Sequence, residues 1–366
     1  MKLYASVSPG ELRVAAWDGA LHDYALSRPG IPDGVGALCR GRIIAHVPAM
    51  AGAFVALPDA EGFLPDSEGA ASAGTIIGVR ITRAAQGGKG PRLSARLNSE
   101  DAALIGTGSP ALLRPAPDAL ARLRLLYPNT SIIIDDPATA ARLNHRTEIV
   151  ARAFDDDIES AVTALADPRA PLPGGAAMSI HPTPALVAID VDLGAATADR
   201  RAKSASQAQA NRALLPALAR QIRLRNLSGA ILVDLAGMPA RKRATLAPDF
   251  AKALAADPLT PRFLGFSALG LAEILRPRIH PPLHEQLAGP HAAGLAALRA
   301  LAREIAATPS RAPLLRATPA IADALRSDTL ALSAIADRAG RALLLQEDRT
   351  LADSALGWSL EESPRA

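Results

Sequence analysis

ALVAIDVDLGAAT, residues 185–197, is the stretch on which the fold turns. Five apolar residues lead to Asp190, and a single valine separates it from Asp192. Residues i and i+2 of an extended chain share a face, so the two carboxylates aim at one point at the end of an apolar strand. A buried carboxylate without a partner is unfavourable. The pattern therefore asks for a metal ion, a basic side chain or water beside them. GAILVDL, residues 229–235, repeats the design and puts Asp234 at a second strand end. Between them a helix is predicted over roughly residues 205–226, with Leu215, Leu218 and Ile222 on one stripe and Gly229 suited to its C-terminal end.

A strand–helix–strand unit is normally parallel, and its ligands lie at the carboxyl ends of the strands. Asp190 and Asp234 then converge. Ligation by oxygen alone suits one magnesium ion, which keeps several waters and accepts phosphate oxygens. Such an ion polarises a phosphodiester and activates a water. Helix or turn capping is the alternative role for the same aspartates.

Outward from this unit, α/β patterning runs from residue 151. A helix is predicted over 158–167, a strand in AMSIHP, a helix over about 241–255 that leads to FLGFSALG, and a helix in LAEILRPR, 271–278. PPLHEQLAGPHAA, 281–293, reads as a linker, and a small α/β unit follows from 295. Upstream, LYASVS, ELRVAAW and LHDYAL read as strands. GRIIAHV, GAFVAL, GFLP, TIIGVRIT and RLSARL, separated by Gly-rich turns, have the pattern of a Greek-key barrel of the oligonucleotide-binding (OB) type. Residues 98–150 are mixed, with a strand in SIIID and a helix in DPATAARL.

The composition sets limits. The chain has 366 residues, 49% hydrophobic but only 3% aromatic, so Ala, Leu, Val and Ile must build its cores. No apolar run approaches the roughly 18 residues of a membrane helix. MKLYASVSPGELRV lacks the features of a signal peptide, and a cytoplasmic location is expected. Cys39, the only cysteine, excludes an internal disulfide and a cysteine-based zinc site within one chain. The net charge of +4 is mild. Basic clusters at Arg40 and Arg42, at Arg200, Arg201 and Lys203, and at Arg241, Lys242 and Arg243 fit either a polyanionic partner or a solvated face.

Several strings together resemble the ribonuclease E/G endoribonucleases. They are ELRVAAWDG, CRGRIIAHVPAMAGAFVALPDAEGFLP, GGKGPRLSARL, LPGGAAMSIHPTPALVAIDVD, ARQIRLRNLSGAILVDLAGM and GFSALGLAEILRPRIHPPL. The resemblance implies an α/β multidomain chain. Residues 1–33 and 98–175 would form a ribonuclease-H-like subdomain interrupted by an OB-fold RNA-binding barrel at 34–97. A DNase-I-like catalytic domain at 176–280, a linker at 281–294 and a small domain at 295–366 would follow. It implies a magnesium-dependent endoribonuclease of RNA processing or mRNA decay, acting on single-stranded RNA. Asp190 and Asp234 would hold the catalytic metal, with Asp192 beside it where the family usually has asparagine. Phe54, Phe63, Lys89 and Arg92 match RNA-binding positions of the barrel, with Arg42, Arg241 and Arg243 as further basic contacts; barrel core is the alternative for the phenylalanines.

The chain also departs from the family. Leu193-Gly194-Ala195 replaces a Ser-Gly-Arg type run, and Ala213, Gly237 and Ala268 stand where charged residues are usual. A catalytically weakened RNA-binding relative is the second expectation. The zinc-linking Cys-x-x-Cys is missing, so no zinc is expected, and a homodimer would form through the small domain. No Arg-Thr pair lies in a strand suited to a 5′-monophosphate sensor; Arg146-Thr147 fits the return to the first subdomain.

Overall fold

A computed structural model describes residues 1–69, 72–143, 145–194, 203–308 and 313–362. Ala195, Arg200 and Arg201 lie outside the described residues, as does the side chain of Lys203.

In chain order, β1 (Lys2–Ser8), β2 (Glu11–Trp17) and β3 (Leu21–Ser27) form two hairpins. Six strands follow: β4 (Leu38–Val47), β5 (Gly52–Ala56), β6 (Glu61–Pro65), β7 (Ile76–Arg83), β8 (Arg92–Ser94) and β9 (Ala111–Arg114), with α1 (Ser99–Ala103) before the last. The sheet closes in the order β4-β5-β6-β8-β7-β4, with β9 added at β4. This five-stranded barrel is OB-like, and its β6–β8 pairing is the parallel one. Val55, Leu64, Val79 and Leu93 fill it.

α2 (Ala119–Leu126), β10 (Ile132–Ile134), α3 (Pro137–Arg142) and β11 (Thr147–Ile149) come next. β10 runs parallel to β1 and β11 parallel to β10, so the sheet order is β11-β10-β1-β2-β3. Arg146-Thr147 thus feeds the outer strand of this sheet. Leu3, Val14, Leu120, Ile132 and Ile134 form its core with α2.

The third sheet holds β12 (Arg169–Pro171), β13 (Ala177–Pro182), β14 (Val187–Asp192), β15 (Gly229–Asp234), β16 (Arg262–Phe266) and β17 (Ala272–Arg276). Their order is β12-β13-β14-β15-β17-β16. α4 (Asp156–Thr163) precedes it, α5 (Lys203–Leu224) links β14 to β15, and α6 (Ala240–Arg243) and α7 (Ala247–Leu254) follow β15. Ile189, Val191, Ile231 and Val233 pack against Leu215, Leu218, Ile222 and Phe250.

Three expectations need correction here. LAEILRPR is not a helix: Ala272, Ile274 and Arg276 are buried in alternation, and the segment pairs with both β15 and β16. Its apolar spacing fits either element, and the turn at Gly270, with φ +85°, selects the hairpin. The left-handed residue ending α5 is Asn226, with φ +47°, while Gly229 opens β15. The stretch read as a linker is largely helical, as α8 (Leu283–Leu287) and the start of α9 (Gly289–Ala307), because Pro290 suits a first turn.

α9, α10 (Pro319–Ser327) and α11 (Thr329–Ala339) pack with β18 (Pro313–Ala317), β19 (Leu344–Glu347) and β20 (Trp358–Glu362). The chain divides into two compact units: residues 1–34, 116–159 and 284–366, and residues 35–115 and 160–283. In the first, buried Glu11 accepts from Arg28 and Arg299, and His291 pairs with Asp328.

Candidate functional site

The parallel register of β14 and β15 sets Asp190 directly opposite Asp234. Both side chains lie on the face away from α5, because Ile189, Val191 and Val233 take the covered face. The carboxylates are therefore exposed rather than buried, which removes the desolvation penalty that a buried pair would carry. Asp234 has a partner all the same: Arg243 Nη1 donates to its Oδ1 at 2.6 Å. The same guanidinium donates to the carbonyls of Met238 and Gly270, fastening the loop after β15 to the turn before β17. Arg243, expected as a free basic contact, is thus drawn against an aspartate, with a side chain only 12% exposed.

Asp192 Oδ1 accepts from the Gly194 N–H at 2.9 Å and so caps the turn that follows β14. Among the described residues, no group of three or more His, Cys, Asp and Glu side chains could hold a metal ion together. Asp190 and Asp234 remain as an exposed pair of oxygen donors. That set fits a magnesium ion holding one or two carboxylates and several waters, and does not fit a dehydrated protein cage.

The fold adds residues that the sequence reading missed. Glu273 stands opposite Leu232 in β15, so it shares the aspartate face, one diagonal step from Asp234 and roughly 7–8 Å from it. Its misassignment to a helix hid it. Asn211, fully buried in α5, donates to the carbonyls of Gln207 and Ala236 and so pins the loop beyond Asp234. Gly237 has φ +71°, a left-handed conformation that favours glycine, where the family resemblance leads to a carboxylate.

Two polar residues of ARQIRLRNLSG, Arg225 and Asn226, are scaffolding. Arg225 donates to the carbonyls of Ala164, Leu165 and Asp167. Asn226 donates to those of His280 and Pro281 and accepts from Arg276.

On the barrel, Phe54 and Phe63 are register partners whose rings meet edge to face at 5.7 Å. Both are partly exposed while Ala53, Val55 and Leu64 point inward, so neither is barrel core. Phe63 is also in register with Arg92, and exposed Arg42, opposite Ala56, lies diagonal to Phe54. The four side chains share one outer face over strands β5 and β6 and their neighbours. In OB folds this face and the loop between the last two strands bind oligonucleotides. That loop carries exposed Lys89, held by the Gln86–Lys89 bridge around Gly87 and Gly88, whose φ values of +56° and +74° suit a tight hairpin. Arg241 is exposed on α6.

Comparison with known proteins follows the same lines. The ribonuclease E/G family profile matches residues 132–279. Ribonuclease E of Nostoc sp. (strain PCC 7120) is 36% identical over 129 residues, 35% of this chain and 19% of that protein. Ribonuclease E of Synechocystis sp. is 31% identical over 134 residues, covering 36% and 20%. Ribonuclease G of Escherichia coli (strain K12) is 28% identical over 186 residues, covering 47% and 38%. The matches thus span from 19% to 38% of the length of these relatives. No helix among the described residues is long and apolar enough to cross a membrane.

Proposed function

We propose that this chain, whose residues 132–279 match the ribonuclease E/G family profile, is a magnesium-dependent endoribonuclease of that family acting on single-stranded RNA. The observation that carries this reading is the in-register pair Asp190 and Asp234 on the exposed face at the strand ends. The strand order β3-β2-β1-β10-β11 supports a ribonuclease-H-like subdomain built from the chain segments before and after the barrel in sequence, and the mixed sheet of β12–β17 supports a DNase-I-like catalytic domain.

In this reading Asp190 and Asp234 hold one magnesium ion, which when bound polarises the phosphodiester and lowers the pKa of a water. Arg243 orients the Asp234 carboxylate through Oδ1 and holds the loop in place through its carbonyl bonds. Asn211 positions the same loop from behind. The phenylalanine pair takes bases by stacking, which tolerates any sequence but needs unpaired bases. Internal cleavage of single-stranded RNA that stops on chelation of magnesium tests the reading.

Two further outcomes are expected. Phe63→Ala should weaken RNA binding by about 1–3 kcal/mol without unfolding the chain. Lys89→Ala should flatten the salt dependence of binding by about 0.7 in the logarithmic slope. Fluorescence anisotropy over a salt series measures both, and unchanged affinity in both variants would place RNA elsewhere. Matched RNAs with 5′-monophosphate, 5′-triphosphate or 5′-hydroxyl ends should be cleaved at similar rates below saturation. Arg146 and Thr147 are taken up at the start of β11, where the Arg146 carbonyl accepts from Ile132. A preference of about tenfold or more for the monophosphate would be worth about 1.4 kcal/mol and would show that a terminal-phosphate pocket exists.

A further inference from the structure

Where the barrel meets the catalytic sheet, within one compact unit, three arginines come together. The Ala84 N–H donates to the Ile279 carbonyl at 2.9 Å, so Arg83 and Arg278, each the preceding residue, flank one backbone hydrogen bond. Arg92 stands opposite Arg83 across the β7–β8 ladder. Arg278 reaches over the start of β15, its Nε 3.8 Å from where a Cβ on Gly229 would sit. The Nε atoms of Arg83 and Arg278 are both buried, and neither has a hydrogen-bond partner. Burial first, then the positive charges of Arg92 and Arg278, hold the Arg83 guanidinium below its ordinary range, and among the described residues no carboxylate forms an ion pair with any of the three.

Like charges set together with buried, unused donors are unfavourable unless an anion joins them. Guanidinium forks match the oxygens of a phosphate in geometry as well as charge. Arg92 also continues the row Phe54, Phe63 across the barrel, so a strand whose bases lie on the two rings delivers its backbone to this point. The cluster is separate from the aspartate pair. Gly229 and Asp234 are opposite ends of β15, five residue steps or about 17 Å apart along the strand.

We infer that Arg83, Arg92 and Arg278 form an oxyanion site that holds a backbone phosphate of the RNA, anchoring the strand away from the bond to be cut. This rests on the RNA-binding reading above, and its test separates the two. Binding of a short fluorescent single-stranded RNA should be followed by anisotropy in chelator, over a salt series. The proteins are the full-length wild type, Arg83→Gln/Arg278→Gln, the charge-keeping Arg83→Lys/Arg278→Lys, and Phe63→Ala.

The glutamine pair should bind at least about tenfold more weakly, with a logarithmic salt slope shallower by about 0.7 or more. The lysine pair should keep most of the slope and lose part of the affinity, because the charge stays and the fork goes. Hydrogen-exchange protection of the β7 and β15 amides should not fall, since the removed groups repel one another. Sodium sulfate should compete with RNA for the wild type beyond its effect as salt, and not for the glutamine pair. Unchanged affinity and slope in the glutamine pair, with Phe63→Ala weakened, would overturn this site and leave the RNA reading standing. A wild type that binds no RNA would overturn both, even where sulfate raises its thermal midpoint.

Discussion

Asp234→Asn should lower the rate of magnesium-dependent RNA cleavage by about three orders of magnitude or more while leaving RNA affinity nearly unchanged. A Lewis-acid metal supplies several kcal/mol to such a reaction, and each decade of rate corresponds to about 1.4 kcal/mol. Asparagine keeps the shape and can still accept from Arg243, so the loop after β15 stays in place. What it removes is one of two anionic donors at the in-register pair. Exposure of the site means that the variant should fold as well as the wild type. Single-turnover cleavage beside anisotropy in chelator measures both halves. Wild-type cleavage by Asp234→Asn would remove the metal from the mechanism, and lost RNA binding would give Asp234 a different role.

Asp257→Ala should destabilise the catalytic sheet by about 3–5 kcal/mol, the usual result of breaking a buried ion pair by removing one partner. Arg276 is 3% exposed and donates through Nε to Asp257 Oδ2 at 2.6 Å. The Asp257 side chain also accepts from the Leu259 N–H, closing the turn before β16. Without it a guanidinium is left buried with Asn226 and the Leu227 carbonyl as its only acceptors among the described residues. Since the chain has two units, a single denaturation midpoint is a poor gauge. Hydrogen exchange of the β15 and β17 amides is the better one, and their protection should fall by about two to three orders of magnitude. A loss under tenfold would mean that Arg276 finds water.

Much of this was legible in the sequence, because strand and helix patterns differ plainly over most of its segments. Short apolar runs ending in Asp190 and Asp234 marked the strand ends, and the 3.6-residue stripe of Leu215, Leu218 and Ile222 marked the crossover helix, so the Asp190–Asp234 juxtaposition followed. The barrel was legible from short strands and glycine turns. LAEILRPR failed because a five-residue strand packed on one face carries too few residues to separate the two periods, and Glu273 was lost with it. For Arg243 the fold adds what the charge run does not carry. Charge runs announce charge, not direction, and only the fold shows that its neighbour Arg241 faces solvent while Arg243 turns inward. Arg83 and Arg278 are far apart in sequence, and nothing in either segment points to the other. Asn211 had one weak signal, an amide among alanines and leucines on the inner side of a helix.

The most direct test of the central claim is the product pattern from one labelled single-stranded RNA. It would be incubated with the wild type and with Asp190→Asn/Asp234→Asn, each over a magnesium series and in chelator. The account predicts internal fragments from the wild type that rise with magnesium and vanish in chelator, and none from the double variant, which still binds the RNA. Uncut RNA bound by the wild type at every magnesium concentration would contradict it, and so would equal fragments from the two proteins.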